Sequence, residues 1–242
     1  MNRKVVYILF LFMAMSVLIL GARGTNGYEI VAVDGSTPTI DGTVNSGEWS
    51  DASYVQFNYT VVYVKQDGVN LYVGFAMGYP LVYEPNATIQ FDVDHDESKM
   101  LQSDDLKIWI FRNGTLGEAS VIDWKWTPTT VRGWNAKIRI HEFSWNAEFN
   151  ITYSKIEVVA GVAKTLGVAF LSTGNIGSVP TSVSWPPDPS EIINSPSNWG
   201  DLTSTGYNWI PEFPSLIILS LFMTVTLLTA MIYRRKPKTI KI

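Results

Sequence analysis

The 242-residue chain contains no cysteine and only two histidines, His95 and His141. Without thiols there are no disulfides, thiolate metal sites or cysteine nucleophiles, so stability must come from packing, with bound ions as the remaining aid. Neither histidine has a serine partner in a motif context, and no phosphate loop or dinucleotide fingerprint is present. Asp123 with Glu118 or Glu148 could in principle form a glycosidase-like carboxylate pair, but nothing in the sequence sets a separation between them. The reading is therefore non-enzymatic. Positive charge is also scarce in the middle of the chain. All 22 acidic residues lie between Glu29 and Glu212 against ten basic ones, a balance of −12, which repels nucleic acid and favours cations.

The ends are unlike the middle. Pro211-Glu212-Phe213-Pro214 precedes the uncharged apolar run Ser215 to Tyr233, and Arg234-Arg235-Lys236-Pro237-Lys238 follows. As a helix at about 1.5 Å per residue, that run reaches roughly 28 Å, close to the hydrocarbon thickness of a bilayer. A single transmembrane helix over 215–233 is expected, with the basic tail 234–242 cytoplasmic and everything before it outside. At the other end Arg3 and Lys4 precede an apolar stretch from Val5 to Leu20, and Ala22 and Gly24 stand at positions −3 and −1 of a cleavage point. This predicts a signal peptide over 1–24, with an uncleaved anchor as the alternative. The order of Pro-Glu-Phe-Pro, apolar helix and basic cluster resembles the PEF-type sorting tails of archaeal surface proteins, which implies an archaeosortase as a partner. A plain membrane anchor explains the same helix. On either reading the chain is a single-pass protein of the cell membrane with its domain on the extracellular side.

Residues 25–203 suit one domain, joined to the helix by a linker over 204–214. No stretch within it keeps helical spacing for three turns. Short runs rich in Val, Ile, Phe, Tyr and Thr predict strands at Val55–Val64, Asn70–Met77, Thr88–Val93, Leu106–Phe111, Lys137–Ile140, Ile156–Val159 and Leu166–Leu171. Gln66-Asp67-Gly68 and Arg112-Asn113-Gly114 read as hairpin-type turns. An all-β, antiparallel two-sheet sandwich is expected. Four Asn-X-Thr sequons, at Asn58, Asn86, Asn113 and Asn150, are compatible with an exported, glycosylated surface.

The densest local chemistry is Asp92-Val93-Asp94-His95-Asp96-Glu97, followed by Asp104-Asp105. So many carboxylates must be protonated, solvated or neutralised by a cation. Calcium suits them, because it takes six to eight hard oxygen ligands in irregular loops, whereas zinc wants more nitrogen or sulfur than His95 supplies. The segment is not an EF-hand, since Glu97 stands where glycine is required and Ser103 where a bidentate Glu belongs. A solvated hairpin loop is the other reading.

Ile40-Asp41-Gly42 followed by Glu48-Trp49 and Ala52 resembles the opening of carbohydrate-binding module family 9 and its DOMON-like relatives. Later pieces keep the order: Leu71-Tyr72-Val73-Gly74-Phe75, Phe91-Asp92-Val93-Asp94, Trp145 to Phe149, Leu166 to Phe170, Trp185-Pro186 and Trp199 to Leu202. The resemblance spans about residues 36–203. It implies a jelly-roll-like sandwich, often with structural calcium, and a sugar held between two Trp residues with polar neighbours. The family's Trp before the Asp-containing strand is missing here, with Tyr83 the aromatic in register, and Arg112-Asn113 is a polar pair. Some DOMON relatives hold haem with Met and His, which makes Met77 with His141 conceivable. The residues themselves offer Trp124 and Trp126, which would share one face of a strand as a stacking platform or a buried sheet face, and Trp134 nearby. Trp145, Ala147 and Phe149 read as packing, as do Trp49 and Trp199. The expected activity is carbohydrate or glycan binding, and the alternative is a structural or adhesive module without a small ligand.

Overall fold

Alternation of apolar and polar side chains builds the described part of the chain. The computed structural model describes residues 27–78, 85–162, 164–176, 179–187 and 194–204, all within the unit Thr25–Pro211. The expected signal peptide, PEFP motif, apolar helix 215–233 and basic tail lie outside the described residues, as does Tyr83. Among the described residues no helix is long and apolar enough to cross a membrane.

The described strands are β1 (Glu29–Asp34), β2 (Ser53–Phe57), β3 (Thr60–Gln66), β4 (Asn70–Met77), β5 (Asn86–Asp92), β6 (Leu106–Phe111), β7 (Leu116–Ile122), β8 (Lys125–Thr129), β9 (Trp134–Ile140), β10 (Trp145–Thr152), β11 (Leu166–Ile176), β12 (Val179–Trp185) and β13 (Gly200–Ser204). One sheet runs β8-β7-β6-β5-β11-β13-β1, with β12 also against β11. The other runs β1-β3-β4-β10-β9, with β2 against β3. The two layers face each other across one core. Ala87, Ile89 and Phe91 of β5 and Leu106, Ile108 and Ile110 of β6 enter it from the first sheet. Leu71, Val73, Phe75 and Met77 of β4, with Trp145, Ala147 and Phe149 of β10, enter from the second. Phe75 and Phe170 meet edge to face across the layers with ring centroids 6.0 Å apart.

The structure corrects the purely antiparallel expectation. Residues Glu29 to Ala32 of β1 pair in parallel with β13, and Val33 and Asp34 pair in parallel with β3. One strand thus passes from the first sheet to the second and makes a single mixed sheet of both. Two strand expectations also change. Val55–Val64 is a hairpin, β2 and β3, turned at Asn58-Tyr59 with Asn58 at a φ of 49°. Ile156–Val159 is a turn after a single 3-10 turn at Tyr153–Lys155, broken by Glu157 at a φ of 53°, although Ile156 and Val158 still plug the core.

The opening motif is structural. Trp49 lies flat over Gly74 of β4, and its Nε1–H donates to Glu148 Oε1 at 2.8 Å. Glu148 Oε2 also accepts the backbone N–H groups of Asp41, at 2.9 Å, and Gly42, at 2.7 Å. Gly42 has a φ of 92°, and a Cβ there would come within 2.3 Å of the Ile138 backbone, so glycine is required for this approach.

Candidate functional site

The outward face of the first sheet carries its chemistry on alternate residues. On β6 Lys107 and Trp109 point away from the core, opposite Gln90 and Thr88 of β5 in register. On β7 the same face is made of Gly117, Ala119 and Val121, and small residues there let the β6 side chains lie across the strand. A Cβ at Gly117 would come within 2.1 Å of the Trp109 ring, so glycine admits the indole. Trp126 of β8 stands opposite Val121 and packs on a cluster of Leu101, Val121, Ala169, Leu171 and Trp199. This second cluster lies outside the main core and is capped by the loop after β5 and by Trp199.

Between β7 and β8 the chain turns in two residues, Asp123 at a φ of 50° and Trp124 at a φ of 63°. This is the positive-φ pattern of a type I′ hairpin, whose second position glycine normally fills. Trp124 is instead 63% exposed at the tip of the hairpin. Together with Met100, Leu101, Lys125, Trp126 and Asn194 it lines a cleft of about 340 Å³. The size and the pairing of apolar walls with a few polar groups suit a small ligand or a chain end. Trp124 thus belongs to the turn rather than to a strand face, yet it still borders the same cleft as Trp126.

One wall of that cleft continues into the acidic loop. Asp92 ends β5 buried, and its carboxylate accepts the backbone N–H of His95 at 2.7 Å and of Glu97 at 3.1 Å. Carboxylate oxygens of Asp92, Asp94 and Asp96 lie within 4.8 Å of one another, as do those of Asp92, Asp104 and Asp105. Glu97 stands apart from both sets. It groups with His95 and with Asp201 of β13, which the sequence did not single out. Burial pushes the carboxyls of Asp92, Asp94 and Asp104 above the usual range, and neighbouring aspartates push further. Asp105, buried beside them, is pushed up to about 8. Burial alone would lower His95, but its 3.1 Å contact with Asp201 and the charges of Asp201, Asp92 and Glu97 raise it instead. The two aspartate sets offer hard oxygens only, clustered and short of counter-charge, and so fit calcium by donor chemistry.

Other candidates are dispersed. Trp134 is a core residue: it stacks on Phe149 at 5.9 Å and donates Nε1–H to Glu118 at 2.7 Å, because its place on β9 faces the sandwich interior. Arg112 sits in the β6–β7 turn, donating its backbone N–H to Pro85 O at 2.9 Å, and is not among the described residues lining the cleft. Glu118 is held by Lys155 at 2.6 Å as well as by Trp134, which keeps its carboxyl low despite burial, and Glu148 belongs to the other sheet. These two carboxylates act in structural networks. Met77 is buried and accepts the Ser172 hydroxyl at 3.2 Å, while His141 is an exposed turn residue. Of the sequons, Asn58 and Asn113 are exposed in turns, whereas Asn86 and Asn150 are half-buried in β5 and β10. Lys107 and Trp109 were legible only as alternate residues of one strand. The approach of Lys107 to Trp126, two strands away, needed the register of β6, β7 and β8.

No family model matches the chain, and no curated protein sequence matches it. Solved structures do share its architecture. A family 9 carbohydrate-binding module from Caldicellulosiruptor kristjanssonii, in complex with cellotriose, aligns with a TM-score of 0.57 at 18% identity, over 77% of this chain and 95% of the module. A family 9 module from the same organism in complex with glucose gives 0.56 at 18% identity, over 74% and 96%. A Bacteroides uniformis protein gives 0.54 at 12% identity, over 76% and 100%. The chain therefore has the sandwich fold of a family 9 carbohydrate-binding module.

Proposed function

We propose that residues 25–203 form a non-catalytic carbohydrate-binding module, carried on the extracellular side of a cell membrane by the helix 215–233. The observation that carries this reading is Trp124. A bulky indole occupies a turn position that favours glycine, is mostly exposed, and stands beside Trp126 at the mouth of a cleft. Packing gives no reason for it, whereas stacking on the apolar face of a pyranose does. The fold shared with modules solved with cellotriose and glucose supports a saccharide as the ligand. The non-catalytic part rests on Glu118 and Glu148, the carboxylates that a glycosidase would need, being engaged by structural donors. Calcium held by Asp92, Asp94, Asp96, Asp104 and Asp105 would brace the loop that supplies Met100 and Leu101 to the cleft. The PEFP motif at Pro211 to Pro214 offers an archaeosortase its recognition sequence.

A glycan array on the full chain, followed by titration of the best hit against Trp124→Ala and Trp126→Ala, tests the reading. Loss of affinity by about tenfold or more with an unchanged melting temperature is expected for Trp124→Ala. Trp126→Ala should lose affinity too, along with some stability from the outer cluster. No hit on the array would leave an adhesive or structural surface module.

A further inference from the structure

Lys107, on the outward face of β6, has no counter-charge among the described residues. Its Nζ lies 5.8 Å from the ring centroid of Trp109 and 5.8 Å from that of Trp126. Burial draws the ammonium below its ordinary pKa, with no acidic group acting against that pull. Among the described residues no carboxylate pairs with it and nothing accepts a hydrogen bond from it. The contrast lies within the same molecule. Buried Lys65 pairs with Asp51 at 2.8 Å, and Lys155 pairs with Glu118 at 2.6 Å. Two indole faces attract a cation but accept none of the three N–H donors of an ammonium. A partly desolvated charge held in this way is completed by an anion brought from outside.

The cleft has the matching sign. Although the stretch from Glu29 to Glu212 has a balance of −12, the described lining of the cleft holds one cationic side chain, Lys125, and no acidic one. Trp126 belongs to both the cleft and the Lys107 environment, so a sugar ring stacked on that indole would project a substituent towards Nζ. We propose that the ligand is an acidic saccharide, carrying a carboxylate or sulfate group that Lys107 binds. This inference rests on the carbohydrate reading and narrows its substrate class.

The test is calorimetric titration of the full chain in nanodiscs with oligogalacturonate, a sulfated oligosaccharide and neutral cellotriose. The wild-type chain is compared with Lys107→Met, which keeps an unbranched apolar stem, and with Lys107→Arg. At least about tenfold tighter binding of one acidic ligand than of cellotriose is expected, with the preferred arm showing whether the anion is carboxylate or sulfate. Lys107→Met should abolish that preference and Lys107→Arg should retain most of it. If Lys107→Met does not fold, the Arg variant and a salt titration stand in, since the acidic preference should weaken as salt rises. Equal or tighter binding of cellotriose by the wild-type chain would overturn the acidic-ligand proposal while leaving the carbohydrate reading intact. Binding of no saccharide at all would overturn both.

Discussion

Glu148 shows how a single buried carboxylate organises a surface loop. It is fully buried, and its three donors, Trp49 Nε1 and the N–H groups of Asp41 and Gly42, arrive from a segment 99 to 107 residues earlier in the chain. Burial pushes its carboxyl up while those donors pull it back. Glu148→Gln retains the shape but turns an amide N–H₂ towards groups that themselves donate. A loss of about 1–3 kcal/mol is expected, read as a lower urea midpoint with unchanged slope. A midpoint equal to that of the wild-type chain would show that the loop does not depend on this acceptor. Asp41-Gly42 and Trp49 were legible as a turn and an anchor. Glu148 was not, because the identity of the acceptor depends on β10 lying under the loop.

At the scale of elements, the β7–β8 hairpin sets local stability against use. Left-handed backbone at a non-glycine residue costs roughly 1–2 kcal/mol, and Trp124 has a φ of 63°. Trp124→Gly should therefore raise unfolding free energy by about 1 kcal/mol while weakening saccharide binding about tenfold or more, measured by denaturation and titration on one preparation. A variant that is both less stable and equally tight would remove the functional reason for the indole. The hairpin escaped sequence reading because Asp-Trp is a poor type I′ signal beside Asn-Gly or Asp-Gly. The boundaries expected for β4 and β6 match the structure: β6 alternates core-facing and outward residues, whereas β4 holds a continuous buried run from Leu71 to Phe75 and stops just before Gly78. β1 was missed. Its six residues divide their pairing between two sheets, and its parallel partners lie far along the chain.

For the whole molecule, charge and pH decide how the acidic loop behaves. Asp105 ionises near 4 in an unfolded chain but at about 8 in the folded one, so between those values the native state holds more protons. Its contribution to stability is therefore greatest at low pH and falls as pH rises through that window, and the raised values of Asp92, Asp94 and Asp104 act in the same direction. In calcium-free buffer the urea midpoint should fall from pH 5 to pH 8, and Asp105→Asn should flatten the decline. A calcium ion bound by these carboxylates would displace those protons, so stabilisation by added calcium should be larger at pH 8 than at pH 5. A midpoint indifferent to calcium at pH 8 would leave the loop without an ion. By itself the sequence determined the all-β character, the acidic cluster, the absence of thiol chemistry and the packing role of Trp145 and Phe149, because composition and alternation are local properties. Only the tertiary structure decided that Trp134 is core, that Asp201 joins His95 and Glu97, and that Lys107 meets Trp126. Those meetings depend on strand register and on which sheet face each residue takes, and both follow from the whole chain folding around one core.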